Sequence, residues 1–73
     1  MTQLPILSAK KLLKVLANVG YRALRQRGSH IRLSSLGRKS ITVPDYKSID
    51  RSLLIKILRD AEVSVDEFME FLK

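Results

Sequence analysis

The sequence predicts an α+β fold, in which a three-stranded antiparallel sheet has helices packed on one of its faces. Two segments repeat apolar residues at helical spacing, and three short segments separated by turn residues lie between them. A chain of 73 residues has room for one small core, which the helices and strands must share. The expected order is therefore α-β-β-β-α, followed by a short helix, in a single domain over residues 1–73.

The first predicted helix begins after Ser8, whose hydroxyl can accept a hydrogen bond from a free amide of the first turn. Its apolar residues repeat every three or four positions: Leu12, Val15, Leu16 and Val19. Gly20 follows where a left-handed residue commonly ends a helix, so the helix is expected to stop there.

Three short strands are predicted after this helix, over residues 21–27, 30–34 and 40–43. In the first, strict alternation would place Tyr21, Ala23 and Arg25 on one face. Gly28-Ser29 is a turn signal before the second strand. In that strand the alternation is clear: Ile31 and Leu33 share one face, while His30, Arg32 and Ser34 share the other. Pro44 ends the third strand because proline has no amide hydrogen to donate.

After a loop over residues 45–49, the second predicted helix has either Asp50 or Ser52 as its N-cap. Its buried stripe consists of four apolar residues: Leu54, Ile57, Leu58 and Ala61. Ser64 with Glu67 three positions later matches a capping box. This motif predicts a short last helix, whose large apolar residues are expected in the core: Phe68, Phe71 and Leu72.

Fourteen basic against seven acidic residues give a net charge of +7, and the charge is unevenly placed. Residues 10–39 contain no acidic residue, whereas every acidic residue falls between Asp45 and Glu70. This asymmetry favours a polyanionic partner for the first half of the chain. There is no cysteine and only one histidine, so neither a disulfide nor a metal site is expected, and no cofactor is predicted.

The N-terminal residues from Met1 to Pro5 do not have a charged start followed by a long apolar run. No signal peptide is therefore expected. The apolar runs are also too short for a membrane span. These features predict a cytoplasmic protein without a membrane partner.

The single histidine, His30, follows Gly28-Ser29 and has arginines on both sides. Histidine can transfer protons near neutral pH, and guanidinium groups suit phosphate. This setting predicts phosphodiester chemistry on a nucleic acid, with His30 as the proton-transfer group. The predicted nucleic-acid contacts are Arg25, Arg27, Gly28, Ser29, Arg32 and Lys39. The plainer interpretation is a surface histidine beside an ordinary turn and a solvated basic face.

In these residues the chain resembles the HicA-type (YcfA-like) mRNA interferase toxins of type II toxin–antitoxin systems. The most specific match is the motif Arg25-Gln26-Arg27-Gly28-Ser29-His30, in which the family's histidine is held to be catalytic. Further matches run along most of the chain: residues 8–16, Gly20-Tyr21, Ile41-Thr42-Val43-Pro44, 54–61 and 63–68. The sequence departs from the family at Tyr46, where a second histidine is usual, and at residues 51–54, where a Gly-Thr-Leu step is usual.

The resemblance implies a dsRBD-like fold, that is, one similar to double-stranded-RNA-binding domains. It also implies cleavage of mRNA and inhibition by a HicB-type antitoxin that covers the active site. The expected assembly is a monomer when free and a heteromeric complex with the antitoxin. The expected chemistry is metal-independent transesterification, with His30 as general acid or base.

Two other classes of function fit the charge. One is a non-catalytic dsRBD-like domain that binds RNA through its shape and phosphates, and it does not need His30. The other is an interaction module whose basic face docks on an acidic protein. RNA binding that falls with salt would separate this last class from the other two.

Overall fold

The computed structural model describes residues 4–72 and confirms the predicted α+β class, with three helices and one three-stranded antiparallel sheet. This order is compatible with a dsRBD-like fold. Residues 1–3, on which the signal-peptide expectation partly rests, lie outside the described part. The elements are α1 (Ala9–Asn18), β1 (Arg22–Arg27), β2 (His30–Ser35), β3 (Arg38–Pro44), α2 (Arg51–Asp60) and α3 (Val65–Leu72).

Helix α1 begins and ends as predicted. The Ser8 hydroxyl accepts a hydrogen bond from the Lys11 amide at 3.2 Å. At the other end, Gly20 has a φ of 103°, and the Tyr21 amide donates to the Leu16 carbonyl at 3.0 Å. These are the features of a Schellman cap, in which glycine takes the left-handed position. The predicted apolar stripe is buried between the caps, except that Val19 is only partly buried.

The sheet has the order β1-β2-β3 and buries one face. Ile31 pairs with Val43 and Leu33 pairs with Ile41, and all four side chains are buried in the core. Helix α1 packs on β1 and α2 packs on β3. The alternate residues of β2 are exposed or only partly buried. Strand β3 begins two residues before the predicted start, because the register shift between Leu33 and Ser35 lets Arg38 pair with Ser35.

Helix α2 has Asp50 as its N-cap, with the carboxylate accepting from the Leu53 amide at 2.8 Å. This decides between the two predicted caps. At its C-terminus the Val63 amide donates to the Leu58 carbonyl at 2.9 Å, and Glu62 has a φ of 60°. Glu62 thus takes a position that glycine usually occupies. The Arg38 guanidinium donates to the Glu62 carbonyl at 2.9 Å and so caps this helix end from the sheet.

Helix α3 starts at the predicted cap, since the Ser64 hydroxyl accepts from the Glu67 amide at 3.1 Å. Phe68 is fully buried, whereas Phe71 and Leu72 pack against the core from its margin. The predicted core position of this cluster is therefore confirmed for Phe68 and only partly met by the last two residues.

Tyr21 joins the end of α1 to the sheet. Its side chain is buried, and its hydroxyl donates to the Lys39 carbonyl at 2.8 Å. Burial raises the pKa of the Tyr21 phenol above its usual value; nearby Arg38 lowers it in part, while nearby acidic groups add to the rise. The neutral phenol is therefore the form that the folded state favours.

We expect Tyr21→Phe to lower the free energy of unfolding by about 1 kcal/mol at pH 7, because one hydrogen bond is lost. Above pH ~10 the wild type should lose this advantage, since the unfolded phenol ionises before the folded one. Urea unfolding of both proteins at neutral and alkaline pH measures the difference. Tyr46→Phe, at an exposed tyrosine, is the control. A difference between wild type and Tyr21→Phe that grows with pH would contradict this account.

Candidate nucleic-acid interface

His30 is placed by a tight turn between β1 and β2. Arg27 and His30 are the last pair of the β1–β2 ladder, so Gly28-Ser29 is a two-residue hairpin turn. Gly28 has a φ of 59°, and a positive φ at the first central residue is typical of a type II′ turn. His30 therefore stands at the very start of β2, exposed at the edge of the turn.

A β-bulge determines on which face of the sheet the arginines of β1 lie. Ala23 pairs with Leu33, but the next pair is Arg25 with Arg32, so Leu24 is an extra residue in β1. The predicted alternation, which placed Arg25 on the same face as Ala23, is therefore wrong. Residues that pair directly across antiparallel strands share a face. Arg25 consequently shares the outer face with Arg32, and Arg27 shares it with His30.

A shallow depression of about 150 Å³ lies on this outer face. We call it the His30 groove, and it is lined by Arg25, Arg27, His30, Arg32 and Thr42. Three guanidinium groups thus surround one imidazole, and no carboxylate is among the lining residues. Such an arrangement attracts phosphate and offers a proton-transfer group beside it.

Arg32 is oriented by its neighbour on β3. Its guanidinium donates to the Thr42 hydroxyl at 2.9 Å, and the two residues are direct partners in the sheet. One guanidinium nitrogen is occupied by this bond, while the other donors of the fork stay available to a ligand. Thr42 was not predicted as a site residue, although its place opposite Arg32 follows from the strand register.

The turn before His30 is held from the opposite side by Gln26 and Asp45. The Gln26 amide group donates to the Gly28 carbonyl at 3.0 Å and to the Asp45 carboxylate at 2.9 Å. The Asp45 backbone amide in turn donates to the Ser29 carbonyl at 2.7 Å. Both turn carbonyls are thereby bonded. We call Gln26 and Asp45 the turn clamp, which sequence reasoning missed because it joins residues far apart in the chain.

The other predicted contacts lie at different places. Gly28 and Ser29 form the turn beside the His30 groove without lining it. Lys39 lies near the opposite end of β3, and its ammonium is 3.8 Å from the Asp60 carboxylate. Tyr46 is half-exposed and does not line the groove, while its backbone carbonyl accepts from the Ala9 amide at 2.9 Å.

Within residues 4–72, no three histidine, cysteine, aspartate or glutamate side chains gather where they could hold a metal ion. In the same part of the chain, no helix is both long enough and apolar enough to cross a membrane.

Comparison with known proteins gives one informative result. A family model described as the HicA toxin of bacterial toxin–antitoxin systems matches residues 9–63. This match extends from the start of α1 through the sheet to Val63, three residues after the end of α2, and so includes the whole His30 groove. Searches among curated proteins and among solved structures found no significant match. The chain belongs to the HicA toxin family and is a toxin of a toxin–antitoxin system.

Proposed function

We propose that this toxin is an endoribonuclease that cleaves mRNA by metal-independent transesterification, with His30 as the general acid or base. The observation that carries the proposal is the His30 groove, in which the single imidazole lies among three guanidinium groups on an exposed face. Apart from the Tyr21 hydroxyl, which is bonded to the Lys39 carbonyl, the described residues bury no polar or charged side-chain group, so the groups available for this chemistry lie at the surface.

In the proposed reaction the 2′-oxygen of a ribose attacks the adjacent phosphorus. A bond forms between phosphorus and the 2′-oxygen, and the bond between phosphorus and the 5′-oxygen breaks. The products are a 2′,3′-cyclic phosphate and a free 5′-hydroxyl. One proton leaves the 2′-hydroxyl and one must reach the 5′-oxygen. His30 supplies one of these transfers, and water exchanges the other proton, because the groove has no second imidazole.

The arginines supply charge stabilisation in this proposal. Negative charge grows on the phosphate oxygens as the fifth bond to phosphorus forms. Arg25 and Arg32 are direct partners in the β1–β2 ladder, and their side chains lie side by side on the outer face. A phosphate bound there can accept hydrogen bonds from both guanidinium groups. Gly28 and Ser29 would contact the phosphate through the backbone of the turn. Lys39 can reach only a more distant phosphate.

A non-catalytic RNA-binding module is the second candidate. The specific observation in its favour is Tyr46, which stands where the family usually has a second histidine and does not line the groove. The same arginines would then hold phosphates without any bond being broken.

The partner proposed for the toxin is a HicB-type antitoxin that covers the His30 groove. The groove is open, and the cations that line it would attract carboxylates of such a protein as they attract phosphates. Since mRNA is the proposed substrate, we also propose that the protein acts in the cytoplasm.

We expect the wild type to cleave end-labelled single-stranded RNA at low salt in EDTA and to leave a cyclic phosphate. His30→Ala should slow cleavage by roughly 10²–10⁴-fold, the usual effect of losing a general acid–base group. The measurement is product formation on a sequencing gel, with Lys56→Ala as a surface control. Cleavage that needs Mg²⁺ and survives His30→Ala would refute the mechanism. Equal RNA binding by both proteins without cleavage would favour the non-catalytic module.

RNA binding should depend on salt through the arginines of the groove. For single-stranded RNA, each phosphate contact contributes about 0.7 to the slope of log K against log salt concentration. Arg25→Gln should therefore reduce the slope by about this amount, whereas Arg59→Gln, an exposed arginine on α2, should leave it unchanged. Fluorescence anisotropy titrations over a range of salt concentrations measure both slopes. Equal slopes for Arg25→Gln and the wild type would exclude a phosphate contact at Arg25.

The turn clamp should affect cleavage through the position of His30. We expect Gln26→Ala to lower kcat about tenfold with little change in KM, because the clamp holds the turn carbonyls and does not line the groove. Asp45→Asn should have a milder effect, since an amide oxygen can still accept the bond from Gln26. Ser48→Ala, in the same loop, is the control. A rise in KM at constant kcat would instead make Gln26 a residue that binds RNA.

A further inference from the structure

A second depression lies at the opposite end of the same two strands. Its volume is about 660 Å³, and it runs between the end of α1 and the β2–β3 hairpin. We call it the distal groove. Its lining includes two leucines, one arginine, two serines and a glycine: Leu24, Leu36, Arg22, Ser34, Ser35 and Gly20.

The two leucines of the distal groove are exposed without a partner in the core. Leu24 is the extra residue of the β1 bulge and is 63% exposed, while Leu36 at the hairpin tip is 100% exposed. Large apolar side chains that lie together at the surface typically mark a binding site. Neither side chain is buried in the core, so both can make apolar contacts with a ligand.

The distal groove continues the face of the His30 groove. His30, Arg32 and Ser34 alternate on one side of β2, and Arg22 pairs with Ser34. Ser34 is four residues from His30, which corresponds to about 13 Å along a strand. An extended RNA strand covers this distance in a few nucleotides. No acidic side chain is among the lining residues of either groove, so a phosphate backbone meets no carboxylate there, while Arg22, Arg25 and Arg32 offer cations.

The polar groups of the distal groove suit the edge of a base. The Ser34 hydroxyl can both donate and accept hydrogen bonds, as the mixed edges of nucleobases require. The Ser35 hydroxyl donates to the Leu36 carbonyl at 3.5 Å and can still accept a hydrogen bond. Gly20 has no side chain, and a Cβ there would lie 3.3 Å from the Ser35 hydroxyl oxygen. The absence of a side chain at Gly20 thus keeps the Ser35 hydroxyl accessible. The leucines offer apolar contact to the face of the base, and Arg22 offers a cation to its phosphate.

We propose that the distal groove binds one unstacked nucleobase of the single-stranded RNA whose phosphate lies in the His30 groove. The proposal rests on the RNA binding in the proposed function and names a site that discriminates among substrates. Single-stranded RNA is recognised through such splayed bases, by contact with the base face and hydrogen bonds to the base edge.

The test is an abasic scan. A short RNA that the wild type cuts at one place is made resistant by a 2′-deoxy nucleotide at that place. Each neighbouring base is then removed in turn, and binding is measured by anisotropy. The wild type should lose about tenfold in affinity when one particular base, a few nucleotides from the cut, is missing.

The leucine variants complete the test. The double variant Leu24→Ser/Leu36→Ser should bind the intact RNA about tenfold more weakly than the wild type, and removal of the particular base should then cost nothing further. Ile55→Ser, at a half-exposed isoleucine on α2, is the matched control and should behave as the wild type. Arg22→Gln, a second variant at the groove, should weaken binding of the intact and the abasic RNA alike.

Additive losses from the base and from the leucines would overturn the proposal, as would wild-type affinity in the double variant. If that variant instead failed to bind an antitoxin while binding RNA normally, the distal groove would be a protein interface and the proposal would be wrong. The same scan works on an RNA that is bound but not cut. A wild type that cuts no RNA therefore refutes the proposed nuclease, while the scan still decides the distal groove.

Discussion

The arrangement of the outer face depends on the single extra residue in β1. Without the bulge at Leu24, strict alternation would turn Arg25 and Arg27 to the same side as Ala23, away from His30 and Arg32. The three guanidinium groups of the His30 groove could then not share one face, so the bulge and the cationic face belong together. The bulge has a second effect at the same position, since it leaves Leu24 at the surface. One local irregularity thus determines both which cations flank the histidine and where an apolar patch lies beside them.

The helices cover one face of the sheet, and this is why the outer face can be polar and charged while the covered face is apolar. The sheet is covered by α1 and α2 on one side only, and α3 packs on these two helices. Apart from the Tyr21 hydroxyl, the described residues contain no buried polar side-chain group. Stability therefore comes from one face and the end caps of the helices. The other face is free to carry charge. Residues 9–63, which the family model matches, include both faces of the sheet.

Regular elements could be predicted from the sequence, whereas the irregular ones could not. Ser8, Gly20 and Ser64 are residue types that begin or end helices by themselves, so these boundaries were predictable. Glu62 was not, because a non-glycine residue takes the left-handed position only where other contacts support it, here the Arg38 side chain bonded to its carbonyl. The strand β1 has no apolar pattern that would show the bulge.

The same distinction applies to the site. His30 could be proposed as a site residue from the sequence because it is the single histidine and stands in a distinctive motif. Thr42 and the turn clamp could not be predicted in this way, because their roles depend on contacts between residues far apart in the chain. The strand register and the hydrogen bonds show these contacts. Lys39 was predicted from its charge to contact phosphate, and the structure places it near the other end of β3, apart from the residues that line the His30 groove.

Finally, β1 is an edge strand with all six residues exposed, a form that often recruits further strands and leads to aggregation. Two copies joined in antiparallel register along this edge would set Arg22 against Arg27 at both ends. The repulsion between them disfavours such edge-to-edge pairing, so the cations of β1 also help to keep neighbouring toxin molecules apart.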